Sequence, residues 1–366
     1  MHRGILAEIN LAAAADNLQA VKKLSGKSSI IAVVKADAYG HGAIELSKVL
    51  SAKGANYLAV AFTDEAKILR DADISSKIMV LFDSDPEDVI KYNLIPVIAE
   101  IHKAEALAVE AEKHGVQIPV HIKIDTGMGR LGLTDNVIQK ILAIADMRGL
   151  FVEGIMSHLS VADMPDSAYT KKQLSVFNAL RTELTHSRLH IKMFHIANSA
   201  AIMGLPEATL DAVRPGLMLY GYSSAVGCES CTDLQPVMTA KTRLLAVRKL
   251  KSGTPVSYAG TFITKRESLI GVIAAGYADG FCSKLSNNAE VLIRGRRVPV
   301  VGRVCMDLTM IDVTGIEDVS ENDEVVIIGR QGSEFIGADE IAKRIETIPY
   351  EVLTSIGSRA RRTYSQ

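Results

Sequence analysis

From Ser29 to Val213 the chain alternates short apolar runs with longer stretches in which apolar positions recur every three or four residues. The apolar runs predict strands over Ser29–Val34, Tyr57–Val60, Ile78–Leu81, Ile95–Ile98, Ile118–Ile124, Val152–Ser157, Lys192–Ile196 and Leu210–Val213. Between them, the periodicity predicts helices over Asp64–Asp71, Ile101–His114, Asn136–Arg148 and Tyr169–His186. Strands that alternate with helices pair in parallel, so this part is α/β. Eight repeats of the unit suit a closed TIM-type (β/α)8 barrel better than an open sheet, although the pattern alone does not decide closure.

The rhythm changes near Gln235. Strand-like runs then follow one another without helices between them: Met238–Leu250, Ser268–Ala275, Ala289–Val301, Met310–Val313 and Glu324–Ile328. Arg294-Gly295-Arg296-Arg297 predicts a turn between two strands. Two short helices close the pattern, over Ala338–Ile345 and Tyr350–Ser355. The expected organisation is a barrel over 1–234 and a mainly antiparallel β domain over 235–366.

A chain of 366 residues with 48% hydrophobic and 23% charged residues can bury a substantial core. Its net charge of −1 gives no global attraction to nucleic acid, and no such partner is expected. No apolar run predicts a membrane span, and Met1-His2-Arg3-Gly4 leads straight into a strand-like segment with no signal peptide visible. Four cysteines in this length do not make a disulfide framework, which points to the cytoplasm. Cys228 and Cys231 have C-x-x-C spacing. Without a second pair or a nearby histidine pair they read as ordinary thiols, and no metal site is expected.

Barrel enzymes collect their chemistry at the C-terminal ends of the strands. Lys35 stands there after the first strand, Arg130 after the fifth, His158 after the sixth, Asn198 and Ser199 after the seventh, and Arg214 after the eighth. Lys35 is followed by the glycine-containing loop Ala36-Asp37-Ala38-Tyr39-Gly40-His41-Gly42. In a dry site its ammonium loses solvation, its pKa falls, and the neutral amine can attack an aldehyde. An isolated lysine at this place would more simply cap a strand in solvent.

Six runs in order carry a family resemblance. They are Ala32-Val33-Val34-Lys35-Ala36-Asp37-Ala38-Tyr39-Gly40-His41-Gly42, His121 to Gly132, Val213-Arg214-Pro215-Gly216, Val256-Ser257-Tyr258, Gly276-Tyr277-Ala278-Asp279-Gly280 and Val304-Cys305-Met306-Asp307. Together they resemble the alanine racemases, over nearly the whole chain. The resemblance implies pyridoxal 5'-phosphate as cofactor, attached to Lys35. It implies a homodimer in which Tyr258 and Met306 reach the other subunit's site. It makes Lys35 and Tyr258 the two bases, on opposite faces of the substrate. A tyrosine with an unperturbed pKa of ~10 needs neighbours that lower it, and His158 and Arg214 are the implied relay. At the cofactor's ring nitrogen the resemblance places Arg214 where many such enzymes have a carboxylate.

The same resemblance assigns the phosphate to Tyr39, Ser199, Gly216 and Tyr350, with Asn198 beside them; Asn198-Ser199 also reads as a helix N-cap. Arg130 and the Met306 backbone N–H would bind the substrate carboxylate. Lys123 matches a lysine that is carbamylated in many members, although a simple Lys123–Asp125 pairing reads equally from the residues. Asp163, His195, Arg303, Ile348 and Tyr350 match corridor positions, Tyr277 the entrance, and Asp307 the interface. Phe281-Cys282-Ser283-Lys284 departs from the family, which commonly has an arginine after the preceding glycine. The activity implied is interconversion of L- and D-alanine, which supplies D-alanine for peptidoglycan. Serine or broad-specificity racemisation stands beside it. A pyridoxal decarboxylase would want an acidic residue where Arg214 stands, and a lone-barrel carrier would leave Tyr258 and Met306 without a use.

Overall fold

The computed structural model describes residues 4–223 and 233–366, and the described chain divides into two units. Cys228 and Cys231 lie outside the described residues.

One unit comprises residues 13–38 and 43–235. After β1 (Leu6–Asn10), which belongs to the other unit, come β2 (Ser29–Val33), β3 (Tyr57–Phe62), β4 (Lys77–Asp83), β5 (Leu94–Ile98), β6 (Ile118–Lys123), β7 (Leu150–Met156), β8 (Met193–His195) and β9 (Ala212–Val213). β2 to β8 stand side by side in chain order, every pair parallel, and β9 pairs with β2 on its far side. The ring closes between β8 and β9 by a single parallel bridge, Asn198 to Arg214, and by the Arg214 N–H donating to Ala197 O at 2.9 Å. These strands read as continuous apolar runs because both faces are covered; all five residues of β5 are buried.

The helices Thr63–Asp71, Ile101–His114, Val137–Ala145 and Ala168–Thr185 fall where the periodicity predicts them. Leu11–Ser25, a stretch rich in alanine where polar contrast is weak, and Ala43–Ala52 are further helices. Two strand ends differ from expectation in ways that matter. β2 stops at Val33, so Lys35 opens a turn. β9 is only two residues long, and Arg214 sits at the closing bridge.

The other unit comprises residues 4–12, 39–42 and 236–366. Two segments therefore cross a division made by chain position at 234/235. Residues 4–12 do so because β1 pairs antiparallel with β10 (Met238–Leu250). Its elements continue with β11 (Pro255–Val256), β12 (Phe262–Ile263), β13 (Ser268–Ile273), β14 (Glu290–Ile293), β15 (Arg296–Pro299), β16 (Thr309–Asp312), β17 (Glu324–Gln331), β18 (Glu334–Ile336) and β19 (Arg361–Ser365). The main path runs β15-β14-β17-β10-β1-β19, antiparallel except for β1 with β19, and β13 extends it from the second half of β10 to β16. The helix Pro349–Gly357 packs on Tyr39–Gly42. Gly40 has φ +81°, and a Cβ there would lie 2.6 Å from Leu353 O, so only glycine permits the approach.

Asn17 ties the barrel's chain together. Its side chain is buried, donates to Leu219 O and Gln235 O at 3.2 and 2.8 Å, and accepts from Gln235 N–H at 2.8 Å. Asn17→Ala leaves these backbone groups without their partner and should cost about 1–3 kcal/mol. Urea melts would show a lower midpoint at an unchanged m-value; an unchanged midpoint would mean that water replaces the amide.

Candidate active site

Lys35 follows β2 at the C-terminal mouth of the barrel, and the chain turns there in an unusual way. Ala36, Asp37, Ala38 and Tyr39 all have φ of 51–54°, a single turn of left-handed helix. L-residues avoid this region at roughly 1–2 kcal/mol each. The Glu65 carboxylate pins the start of the turn, accepting from Ala36 N–H and Ala61 N–H, both at 2.6 Å. Asp37 accepts from Ala43 N–H at 2.7 Å beyond it. The Lys35 ammonium lies 5.2 Å from the centre of the Phe82 ring, and the Arg130 guanidinium 5.6 Å from the same ring. Burial first and Arg130 second pull the Lys35 pKa down, against a smaller opposing pull from Glu65. A cleft of about 530 Å³ opens beside them, lined by Lys35, Phe82, Arg130 and Leu131 among others.

Arg214 is buried under this mouth. Nη1 donates to His195 O at 3.0 Å and faces His195 Nδ1 at 2.6 Å. Nη2 donates to Ser157 O and Ile196 O at 2.6 and 3.2 Å, and stands 3.4 Å from His158 Nδ1. All these bonds leave from Nη1 and Nη2, so no described protein atom accepts from Nε–H. Burial draws the Arg214 pKa down to about 9, and it still carries its charge at neutral pH. Burial, then Arg214, holds His158 and His195 neutral, well below the ordinary imidazole range. His195 is fully buried beside Arg214, so it does not line an entrance corridor.

Lys123, at the end of β6, is 2% exposed. Burial, Arg214 and Arg130 lower its pKa to about 8, and Asp125 opposes them. Asp125 does not form an ion pair with it. Asp125 Oδ1 accepts from Gly127 N–H and Met128 N–H at 2.8 and 2.7 Å, and Oδ2 from Arg130 N–H at 3.1 Å, which shapes the loop that carries Arg130.

The residues expected at a phosphate fall into two groups. In the barrel, Ser199 Oγ accepts from Gly216 N–H and Met218 N–H at 2.8 and 3.3 Å. The N-cap is Asn198 and not Ser199: Asn198 Oδ1 accepts from Ala201 N–H at 3.1 Å. In the other unit, Tyr39 and Tyr350 meet with ring centres 5.4 Å apart. Burial, then Tyr350, raises the Tyr39 pKa, so its hydroxyl stays a donor.

Tyr258 and Met306 sit on neighbouring loops of that unit, joined by Ser257 Oγ donating to Arg303 O at 2.7 Å. Tyr258 is 71% exposed and Met306 54%. Tyr277 and Asp279 belong to the turn packed on Cys305–Met306, where Gly276 leaves no room for a Cβ. Lys284 donates to Ile345 O at 3.4 Å within this unit, and Asp163 is exposed in the barrel unit. Glu65 and Phe82 escaped the sequence reading. Glu65 follows Phe62-Thr63-Asp64 at the third position of a helix, a spacing that marks a carboxylate turned back onto backbone N–H groups.

Residues 9–224 match the family model described as "Alanine racemase, N-terminal domain", and residues 237–364 match "Alanine racemase, C-terminal domain". Alanine racemase of Thermodesulfovibrio yellowstonii is 53% identical over 370 residues, covering 100% of this chain and 98% of that protein. The solved alanine racemase of Streptomyces lavendulae superposes with a TM-score of 0.94 at 31% identity, covering 100% of this chain and 98% of that one. That of Clostridium difficile 630 gives 0.93 at 34%, covering 100% and 96%.

Lys123 gives a pH dependence of known sign. Unfolded, the amine keeps its proton up to about 10.5; folded, only up to about 8. Between these values the unfolded chain binds more protons, so this lysine's destabilisation is full below 8 and is relieved as pH rises towards 10.5. In buffer free of carbon dioxide, the stability difference between Lys123→Met and the unmodified chain should shrink across that window. A difference independent of pH would place the lysine in water.

Proposed function

Because the chain belongs to the alanine racemase family, we propose that it interconverts L- and D-alanine with pyridoxal 5'-phosphate, as a homodimer. The carrying observation is Lys35: an amine depressed by burial and Arg130, at a barrel mouth beside a cleft. A neutral amine is what condensation with an aldehyde requires. The donor set also fits the cofactor. Arg214 keeps Nε–H for an acceptor such as a ring nitrogen; Ser199, Tyr39 and Tyr350 carry hydroxyl donors of the kind a phosphate takes, and Gly216 N–H, which donates to Ser199 Oγ, holds that hydroxyl in place. Bound pyridoxal phosphate supplies an electron sink for the charge left when Cα loses its proton.

The chain's own residues do the rest. Lys35 holds the cofactor, and its freed amine takes or returns the α-proton of the D-enantiomer. Tyr258 of the second copy serves the opposite face, for the L-enantiomer. Arg130 and the Met306 backbone N–H hold the substrate carboxylate, with His158 and Arg214 beside the cofactor. Arg214 donates a hydrogen bond without giving up a proton, which keeps the ring nitrogen neutral and favours reprotonation at Cα over side reactions. A base that is 71% exposed, beside Met306 and with Ile348 57% exposed in the same unit, supports a shared interface. Lys123 suits carbamylation. The neutral amine adds carbon dioxide and releases a proton, which turns one of three clustered cations into an anion able to orient Arg130.

D-Alanine for peptidoglycan and a cytoplasmic setting complete the reading. Among the described residues no helix is long and apolar enough to cross a membrane. Serine differs from alanine by one hydroxyl, a change that an apolar pocket rejects weakly, so broad-specificity racemisation is the neighbouring reading.

Incubation with pyridoxal phosphate and L-alanine in deuterium oxide should give racemic alanine deuterated at Cα. Tyr258→Phe should lower the rate from L-alanine by about 10²–10⁴-fold. Deuterated alanine of unchanged handedness from the unmodified protein would overturn the two-base scheme. Mixing inactive Lys35→Ala and Tyr258→Phe chains should restore part of the activity, because some dimers then hold one intact site. No recovery after verified subunit exchange would overturn the shared site.

A further inference from the structure

The barrel interior carries a line of polar side chains of which only the first, Arg214, has a part in the reaction above. It runs from Arg214 at the mouth to Glu153. His195 Nδ1 is 2.6 Å from Arg214 Nη1, and His195 Nε2 is 2.8 Å from His121 Nδ1. His121 Nε2 stands 3.6 Å from Glu153 Oε2. His121 and His195 are 0% exposed, Glu153 3% and Arg214 4%. At the far end, Lys77 Nζ at 3.4 Å and Lys192 Nζ at 3.8 Å both face Glu153 Oε1. Lys77 begins β4 and Lys192 immediately precedes β8, so this end is the floor of the barrel.

The chemistry of the two ends dictates every proton between them. Arg214 has only donors, so His195 Nδ1 must present a lone pair and its proton must sit on Nε2. That N–H donates to His121 Nδ1, which leaves the His121 proton on Nε2, aimed at the carboxylate. Hydrogen bonds thus run one way, Arg214 to His195 to His121. The His121 Nε2–H faces the Glu153 carboxylate across 3.6 Å, an electrostatic contact longer than a hydrogen bond that leaves both atoms without a hydrogen-bond partner among the described residues. The line's terminus is anionic: the His121 contact and Lys77 hold the Glu153 pKa at about 2 against burial, while burial keeps His121 neutral. Gly154 makes room for the line, since a Cβ there would lie 2.5 Å from the His121 ring.

We propose that Glu153 is a positioning residue for racemisation, which fixes the tautomers of His121 and His195 and through them the orientation of Arg214. The inference rests on the reading that Arg214 faces the cofactor. It predicts an inverted order of severity. In Glu153→Gln, Lys77 and Lys192 claim the amide oxygen, and the NH2 group is turned towards His121. His121 Nε2 then accepts, both tautomers flip, and His195 points an N–H at the Arg214 N–H. Glu153→Met removes the acceptor without reversing the line.

The test is two-bond ¹H–¹⁵N spectroscopy of the holoenzyme labelled in histidine, with His121→Asn to assign the signals, alongside steady-state kinetics. The unmodified protein should show His121 and His195 each with the proton on Nε2. Glu153→Gln should move the His195 proton to Nδ1 and lower kcat by about tenfold or more, with KM for alanine little changed. Glu153→Met should keep the His195 tautomer and lose less. A His195 proton on Nδ1 in the unmodified protein overturns the proposal, and so does an unchanged His195 tautomer in Glu153→Gln. A merely structural glutamate gives the opposite order, with glutamine, the closer isostere, the milder change. The tautomers are read without turnover, so an inactive unmodified protein would count against the racemase reading alone.

Discussion

Repulsion among cations in a dry barrel mouth is the constraint on which the site depends. After burial, Arg214, Lys123, Arg130 and Lys35 all push the His158 pKa down, Arg130 does the same to Lys35, and Arg214 and Arg130 to Lys123. Arg130 is exposed and Lys35 partly buried, but Lys123 and Arg214 are buried, where charge is screened less than in water. The nearest carboxylates relieve it only in part: Glu65 opposes the shift at Lys35 and Asp125 that at Lys123, while the oxygens of both accept backbone N–H bonds. On the proposed function, anions from outside the chain would stabilise this arrangement: the cofactor's phosphate, the substrate carboxylate and a carbamate on Lys123. The positive field that, after burial, lowers the Lys35 pKa is also one that attracts anions.

The left-handed turn after Lys35 ties this chemistry to the fold. The residues 36–39 hold a conformation that alanine and aspartate avoid, and the surrounding bonds over-determine it. Glu65 fastens Ala36, Asp37 accepts from Ala43, and Arg362 Nε donates to Gly40 O at 2.8 Å. Within five residues the chain passes from Lys35, in the barrel unit, to Tyr39, in the unit that holds Tyr350. Strain concentrated at such a place fixes one geometry where a relaxed loop would sample several.

Much of this was legible from residue order. Continuous apolar runs and period-3.6 patterns located the barrel strands and four of their helices to within a few positions, because a doubly covered strand has no polar face to interrupt the run. The six motif runs located Lys35, Arg214 and Tyr258. Other features depend on distances across the barrel, which one-dimensional spacing does not encode. His121 and Glu153 sit on β6 and β7 and look like ordinary polar residues in apolar strands until the ring brings them to His195. The left-handed turn was likewise hidden: only Gly40 and Gly42 hint at positive φ, and the strained residues are two alanines, an aspartate and a tyrosine. Closure of the ring rests on a bridge at Asn198 and Arg214, too short to leave a periodic trace.

The placement of β1 bears on how the molecule is made. Leu6–Asn10 lies between β10 and β19, with Leu6 opposite both Lys241 and Arg361. During synthesis the first strand emerges long before either neighbour exists. Its unpaired edges must wait while the barrel strands, whose partners follow closely in sequence, assemble ahead of it. Its sheet is completed only when β19 has left the ribosome, so a nascent chain can hold a folded barrel before it holds the sheet to which its first strand belongs.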